Sequence, residues 1–224
     1  MYCMKLNDAL SAIWIRYPKT ASTTIKYLFL QAFKYTNNID DSETYVERCG
    51  DISLYYDSKF DIFKTKKYKL TVLRSLKLNE FVELYPSIWN NLYKIVSCRN
   101  PYDRFVSGYN YLNVDIPFNE MDKFDYNSLK QEYILNHIIR PIYSDIIKEV
   151  DYIIRFEYLH EDLKELFNIL NLELDLTNIP IFRKTSYISY KEYYKNAPNM
   201  IDFVYNTFKS DFDFFGYDKN INFD

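Results

Sequence analysis

Three times along this chain a short apolar run passes into a polar loop and then into residues with helical apolar spacing. Ala12 to Arg16 (AIWIR) is followed by a loop at Tyr17 to Thr20, and then by a helix from about Ser22 to Lys34. In that helix Ile25, Leu28, Phe29, Ala32 and Phe33 fall on one face. Lys94 to Cys98 (KIVSC) leads into Asn100, a helix N-cap residue type, with Pro101 suited to the first helical position and Asp103 to the positive helix end. That helix should run to about Leu112. Tyr152 to Phe156 (YIIRF) precedes an amphipathic stretch from Leu159 to Leu170. Strand–loop–helix units in this order predict an α/β fold with a parallel sheet flanked by helices. Ligands of such sheets bind where strands end and helices begin, which singles out residues 17–24 and 99–107.

The remaining segments are less regular. Residues 36–68 are polar and irregular, with weak strand or helix signals, and Leu78 to Leu84 fits a short helix. Residues 128–148 read as one or two helices broken at Pro141, and Pro198 should open a final long helix. With 224 residues the chain fits a single domain, 1–224, with a variable insertion around 36–90. The net charge of -3 gives no general attraction to nucleic acid or acidic membranes, and it weighs against a long polyanionic substrate. Cys3, Cys49 and Cys98 lack metal-ligand spacing. No apolar run approaches the roughly 20 residues that cross a bilayer, and the N-terminus lacks signal-peptide layout. A cytoplasmic or otherwise soluble protein is expected.

The segment PKTASTT, Pro18 to Thr24, joins a strand to a helix. A helix N-terminus offers unpaired N–H groups and a positive dipole end. Thr20, Ser22, Thr23 and Thr24 add hydroxyls, and Lys19 adds a cation. Together they would cradle a phosphate. A plainer alternative is a capped helix, with Ser22 or Thr20 as N-cap and Lys19 in solvent. No glycine lies in this loop, so an ordinary ATP- or GTP-binding loop of the GxxxxGK[ST] type is not expected.

The segment CRNPYDRFVSGY, Cys98 to Tyr109, also joins a strand to a helix. Arg99, just before the helix, can grip a phosphate through both arms of its guanidinium. Ser107 lies two turns along and adds a hydroxyl. Alternatively Asp103 and Arg104 form a local ion pair and Ser107 is simply small.

PKTASTT resembles the 5′-phosphosulfate loop of membrane-type carbohydrate sulfotransferases, and the hexuronyl 2-O-sulfotransferases most of all. RNPYDRFVSGY resembles the same family's 3′-phosphate motif, RxPxxRxxSxY. The segments YIIRFEYLHEDL, FRKTSY and DFDFFGYD resemble further family elements, so the likeness touches both ends and is thinnest between residues 36 and 90. The resemblance implies a P-loop-like three-layer fold and 3′-phosphoadenosine 5′-phosphosulfate (PAPS) as donor, with its 3′,5′-bisphosphate (PAP) as product. Pro18, Lys19, Thr20, Ala21, Ser22, Thr23 and Thr24 would bind the 5′ end, Lys19 acting catalytically on the bridging oxygen. Arg99 and Ser107 would bind the 3′-phosphate, with Asp103 and Arg104 holding the helix. Arg183, Lys184 and Thr185 would close over the nucleotide. Arg155 and Glu157 would form a structural ion pair. No metal is expected.

The resemblance further implies a hydroxyl acceptor, with a carbohydrate foremost, and a general base. Lys69 is the first candidate base, then His137, then an acid among Glu43, Glu47 and Asp51. His160 reads as a surface residue. The basic cluster Lys64, Lys66, Lys67 and Lys69 can attract an anionic glycan or merely be solvated. Relatives are commonly anchored in the Golgi, a location that nothing in this sequence indicates. A non-catalytic PAPS- or PAP-binding protein is a second reading, and a P-loop-like kinase a third.

Overall fold

A computed structural model describes residues 2–5, 11–37, 44–49, 52–57, 82–83, 86–113, 115–124, 126, 139–143, 145–173, 179 and 188–223. Strands β1 (Tyr2–Lys5) and β2 (Ser11–Ile15) are followed by helix α1 (Ser22–Asn37). Strands β3 (Thr44–Cys49) and β4 (Ile52–Asp57) come next, then the short helix α2 (Pro86–Asn90), strand β5 (Leu92–Cys98) and helix α3 (Pro101–Leu112). Strand β6 (Tyr152–Arg155) leads into α4 (Leu159–Ile169), and the chain finishes with α5 (Tyr190–Lys195), α6 (Asn199–Thr207) and α7 (Lys209–Phe215).

The chain divides into two units, each built from separate stretches of sequence. The first comprises residues 1–16, 22–97 and 149–180; the second comprises residues 17–21, 98–148 and 181–224. The first holds a six-stranded sheet in the order β3-β4-β1-β2-β5-β6. Its centre is parallel, with Ser11 of β2 opposite Leu92 of β5 and Ile15 opposite Val96. β5 is buried along nearly its whole length, as a strand covered on both faces should be. Asp151 sets β6 beside it, since its carboxylate accepts from the Lys94 N–H at 2.6 Å and its own N–H donates to the Lys94 carbonyl at 2.8 Å. The expected parallel α/β core is therefore present. It also carries antiparallel strands: β1 pairs with β2, and β3 with β4 as a hairpin, in a region whose sequence reads as irregular.

Helices cover this sheet through aromatic contacts. The predicted face of α1 is buried at Ile25, Leu28, Phe29 and Ala32. Phe29 lies 5.7 Å from the Trp14 ring of β2 and 5.3 Å from Phe167 of α4. The Trp14 indole N–H, wholly buried, is satisfied by the Ser97 hydroxyl at 3.4 Å. Arg155 forks onto the buried carboxylate of Asp162, at 2.6 and 3.0 Å.

The second unit has its own core around α3. Tyr102, Phe105, Val106, Phe118, Met121, Tyr194, Met200, Val204, Phe208 and Phe212 are buried together. Many rings meet edge to face, such as Tyr102 with Tyr194 at 5.1 Å and with Phe212 at 4.9 Å. Buried tyrosines need partners for their hydroxyls. Tyr102 donates to the Lys219 carbonyl at 2.6 Å and Tyr194 to the Tyr102 carbonyl at 3.1 Å. Burial pushes the Tyr102 phenol up to about 12, so it remains a neutral donor. The high tyrosine content thus serves packing here.

One helical expectation changes. The final helix is two helices, α6 and α7, meeting at Phe208, whose ring is fully buried in the core. Of residues 128–148 the structure describes 139–143 and 145–148, the latter within the 3-10 turn Asp145–Glu149, and residues 128–138 lie outside the described residues. Gly216, with φ of +73°, ends α7 in the left-handed conformation that glycine adopts without strain. The Tyr217 hydroxyl then meets the Cys98 thiol at 3.4 Å. Among the described residues no helix is long and apolar enough to cross a membrane.

A buried ion pair ties this unit together. Arg104 of α3 donates to Asp211 of α7 at 3.1 Å and also to the Arg140 carbonyl. Asp211 accepts the N–H groups of Ile142 and Tyr143, at 2.9 and 2.7 Å. Burial lowers the Arg104 pKa and raises that of Asp211, so desolvation opposes both charges while the hydrogen bonds hold them. Asp211→Ala should destabilise the protein by about 3–5 kcal/mol in urea unfolding, because it strands a buried guanidinium and two amides. Asp213→Ala, two residues on and exposed, should cost less than about 1 kcal/mol. Equal effects would show that the buried pair is not what holds α3 to α7.

Candidate active site

The expected phosphate loops meet inside the second unit. The Arg99 guanidinium donates from Nη1 to the Lys19 carbonyl at 3.2 Å. Its other edge closes on Asp103, with Nε at 2.7 Å and Nη2 at 2.7 Å from Oδ2. One side chain therefore spans from the N-terminal turn of α3 to the loop at Tyr17–Ala21. Arg99 is 8% exposed, so its charge is held in a setting where an anion would be felt strongly.

The α3 N-terminus forms as the sequence predicts. The Asn100 side chain accepts from the Tyr102 N–H at 2.9 Å, Pro101 takes the first helical position, and the Arg104 N–H closes on the Asn100 carbonyl at 2.8 Å. Asp103 pairs with Arg99, and Arg104 with Asp211, so the alternative of a local Asp103–Arg104 pair is replaced by two separate pairs. Ser107, buried at 4% exposure, sits one turn beyond Asp103 on the same face.

The loop at Tyr17–Ala21 shows a feature that residue types do not announce. Lys19 and Ala21 both have left-handed backbone, with φ of +65° and +56°. Each costs about 1–2 kcal/mol for a residue with a Cβ. Non-glycine residues held this way cluster at ligand sites, and turns of this kind aim backbone N–H groups into anion-binding hollows. The loop thus takes turns normally left to glycine without containing one. Thr20, between them, is fully buried and donates its hydroxyl to the Tyr17 carbonyl at 2.9 Å, which braces the turn. Pro18 and Lys19 are half-buried.

The Lys19 ammonium lies 4.0 Å from the centroid of the Tyr111 ring. Tyr111, on α3, is not among the residues singled out from the sequence. Its four-residue spacing from Ser107 is the one signal that places it on the same face. Ser22, Thr23 and Thr24 belong to the first turn of α1 in the other unit, where Ser22 and Thr24 are buried. His160 is exposed, as expected. Lys69, His137, Arg183, Lys184 and Thr185 lie outside the described residues, as do Glu43, Asp51, Lys64, Lys66, Lys67 and the side chain of Glu47.

The loop strain can be tested by substitution. Ala21→Gly should leave unfolding stability equal or raise it by up to about 1 kcal/mol, relief of the left-handed Cβ offsetting the added chain entropy. Ala21→Val should lower stability by more than about 1 kcal/mol, since a branched side chain fits that conformation worst. Thermal unfolding of both variants beside wild type decides it, and a valine variant as stable as the glycine one would exclude strain at residue 21.

Comparison with curated proteins found no match, and comparison with solved structures found none. A model of the sulfotransferase family matches residues 4–218, a span that takes in both loops, α3 and all of α7. With the parallel α/β core and that match over nearly its whole length, the chain belongs to the sulfotransferase family.

Proposed function

We propose that this sulfotransferase takes its sulfuryl group from PAPS and places it on a hydroxyl, with a carbohydrate as the foremost acceptor. The observation that carries this reading is the 3.2 Å contact between Arg99 and the Lys19 carbonyl, which joins the two candidate phosphate loops. A donor phosphorylated at both the 3′ and 5′ positions needs two such grips close together. The left-handed turns at Lys19 and Ala21 and the capped start of α3 fit such a ligand. The likeness of PKTASTT to the hexuronyl 2-O-sulfotransferase loop supports the carbohydrate acceptor. The family match runs through both units, which supports a single transferase domain with an acceptor-side insertion around 36–90.

In this reading Arg99 and Ser107 hold the 3′-phosphate, while the loop from Pro18 to Ala21 and Ser22, Thr23 and Thr24 hold the 5′ end. Arg183, Lys184 and Thr185 close over the nucleotide. Transfer breaks the bond between sulfur and the oxygen bridging to the 5′-phosphate, and forms a bond from sulfur to the acceptor oxygen. Negative charge builds on the departing oxygen in a loose transition state, and Lys19 stabilises it there. The acceptor proton passes to a base, for which Lys69 is the first candidate and His137 the second. Asp103 keeps the Arg99 fork aimed and Thr20 keeps the loop turned.

Two measurements test this reading. In calorimetry PAP should bind at least tenfold more tightly than ADP, because only PAP carries the 3′-phosphate; equal affinities would favour a kinase-like site. Radiolabelled PAPS should label one class among sugars, tyrosyl peptides and small alcohols, and Lys19→Ala should abolish that labelling while PAP still binds. Labelling at the wild-type rate in Lys19→Ala would refute the leaving-group role. Tight PAP binding with no labelling of any acceptor would point to a binding protein.

A further inference from the structure

Asp103, Ser107 and Tyr111 recur every four residues along α3 and so share one face of the helix. Asp103 holds the Arg99 guanidinium, and Arg99 in turn holds the Lys19 carbonyl. Tyr111, two turns further on, takes the Lys19 ammonium against its ring. Both ends of Lys19 are thus fixed from one helix face, the backbone through Arg99 and the head through Tyr111. From this we infer that Tyr111 is the positioning residue for Lys19, an inference that rests on the sulfuryl-transfer reading for its catalytic consequence.

The choice of an aromatic ring has a physical reason. A lysine head is a point charge on a flexible four-carbon stem, and without a holder it samples many rotamers. A carboxylate would hold it but would also cancel its charge, which is the property the departing oxygen needs. A ring face attracts the ammonium through its quadrupole and leaves the net charge whole. Arg99, assigned to grip a phosphate that stays in place, is buttressed by a carboxylate. Lys19, assigned to meet charge that appears only during transfer, has a neutral ring against its head. Tyr111 is 37% exposed, so its ring is open to solvent on part of its surface and the contact is of moderate strength.

The test compares Tyr111→Phe, which keeps a ring face, with Tyr111→Leu, which keeps bulk and loses the quadrupole. In the full chain carrying labelled lysine ε-carbons, the Lys19 methylene protons should be ring-shifted upfield in wild type and in Tyr111→Phe. They should return to the ordinary lysine position in Tyr111→Leu, with Lys19→Ala supplying the assignment. With radiolabelled PAPS and the best acceptor from the screen, Tyr111→Leu should lose about two- to fivefold in kcat, with the PAPS KM within about twofold of wild type. Tyr111→Phe should keep most of the rate. Absence of the ring shift in wild type, or a leucine variant matching the phenylalanine one in kcat, would overturn the inference. Failure of the function reading is recognised separately: the wild-type chain would then not prefer PAP over ADP, whatever the Lys19 methylenes show.

Discussion

The buried guanidinium of Arg104 is the fixture on which the second unit depends. It belongs to α3, the helix that carries the site, and reaches Asp211 and the Arg140 carbonyl. Asp211 answers with contacts to two backbone amides, so one ion pair gathers α3, α7 and the segment around Ile142. Desolvation works against both charges, and among the described residues the Arg104 Nε has no hydrogen-bond acceptor, with the Phe208 ring 5.2 Å from the guanidinium carbon. A pair of this kind adds little net stability compared with well-packed apolar side chains. Its role here is to fix the orientation of α3, because the amides and carbonyl it serves can be satisfied in one arrangement.

That orientation matters because α3 presents Asp103, Ser107 and Tyr111 along one face. Each contact at the site then follows from the helix. Asp103 aims Arg99, Arg99 steadies the Lys19 carbonyl, and Tyr111 receives the Lys19 head. The loop itself is held in a costly shape, with left-handed backbone at Lys19 and Ala21 and a buried Thr20 hydroxyl turned onto Tyr17. Strain in one short segment persists because the surrounding contacts over-determine it.

Much of this was legible before any coordinates. The N-cap at Asn100, Pro101 at the first position and the apolar face of α1 at Ile25, Leu28, Phe29 and Ala32 all appear where the sequence puts them. These features depend on residues within a few positions of one another. The β3–β4 hairpin falls where the sequence carries only weak strand or helix signals, because its polar setting obscures the turn signal of Gly50 and Asp51. The single long helix expected after Pro198 failed for a tertiary reason. Phe208 is drawn fully into the aromatic core, which breaks the helix at that point.

What the sequence determined alone was the place of the two strand-to-helix loops and the capped start of α3, because capping and the strand-to-helix alternation are short-range. What only the folded chain decided was the choice of partners. Arg99 meets Lys19 across 80 residues, and Arg104 meets Asp211 across 107. Asp103 and Arg104 are adjacent in sequence and opposite in charge, so a local reading pairs them. They point to different sides of α3, and each finds the partner its side of the helix presents. The left-handed turns at Lys19 and Ala21 were likewise unreadable, since residue types with a Cβ give no hint of a conformation that only surrounding contacts can impose.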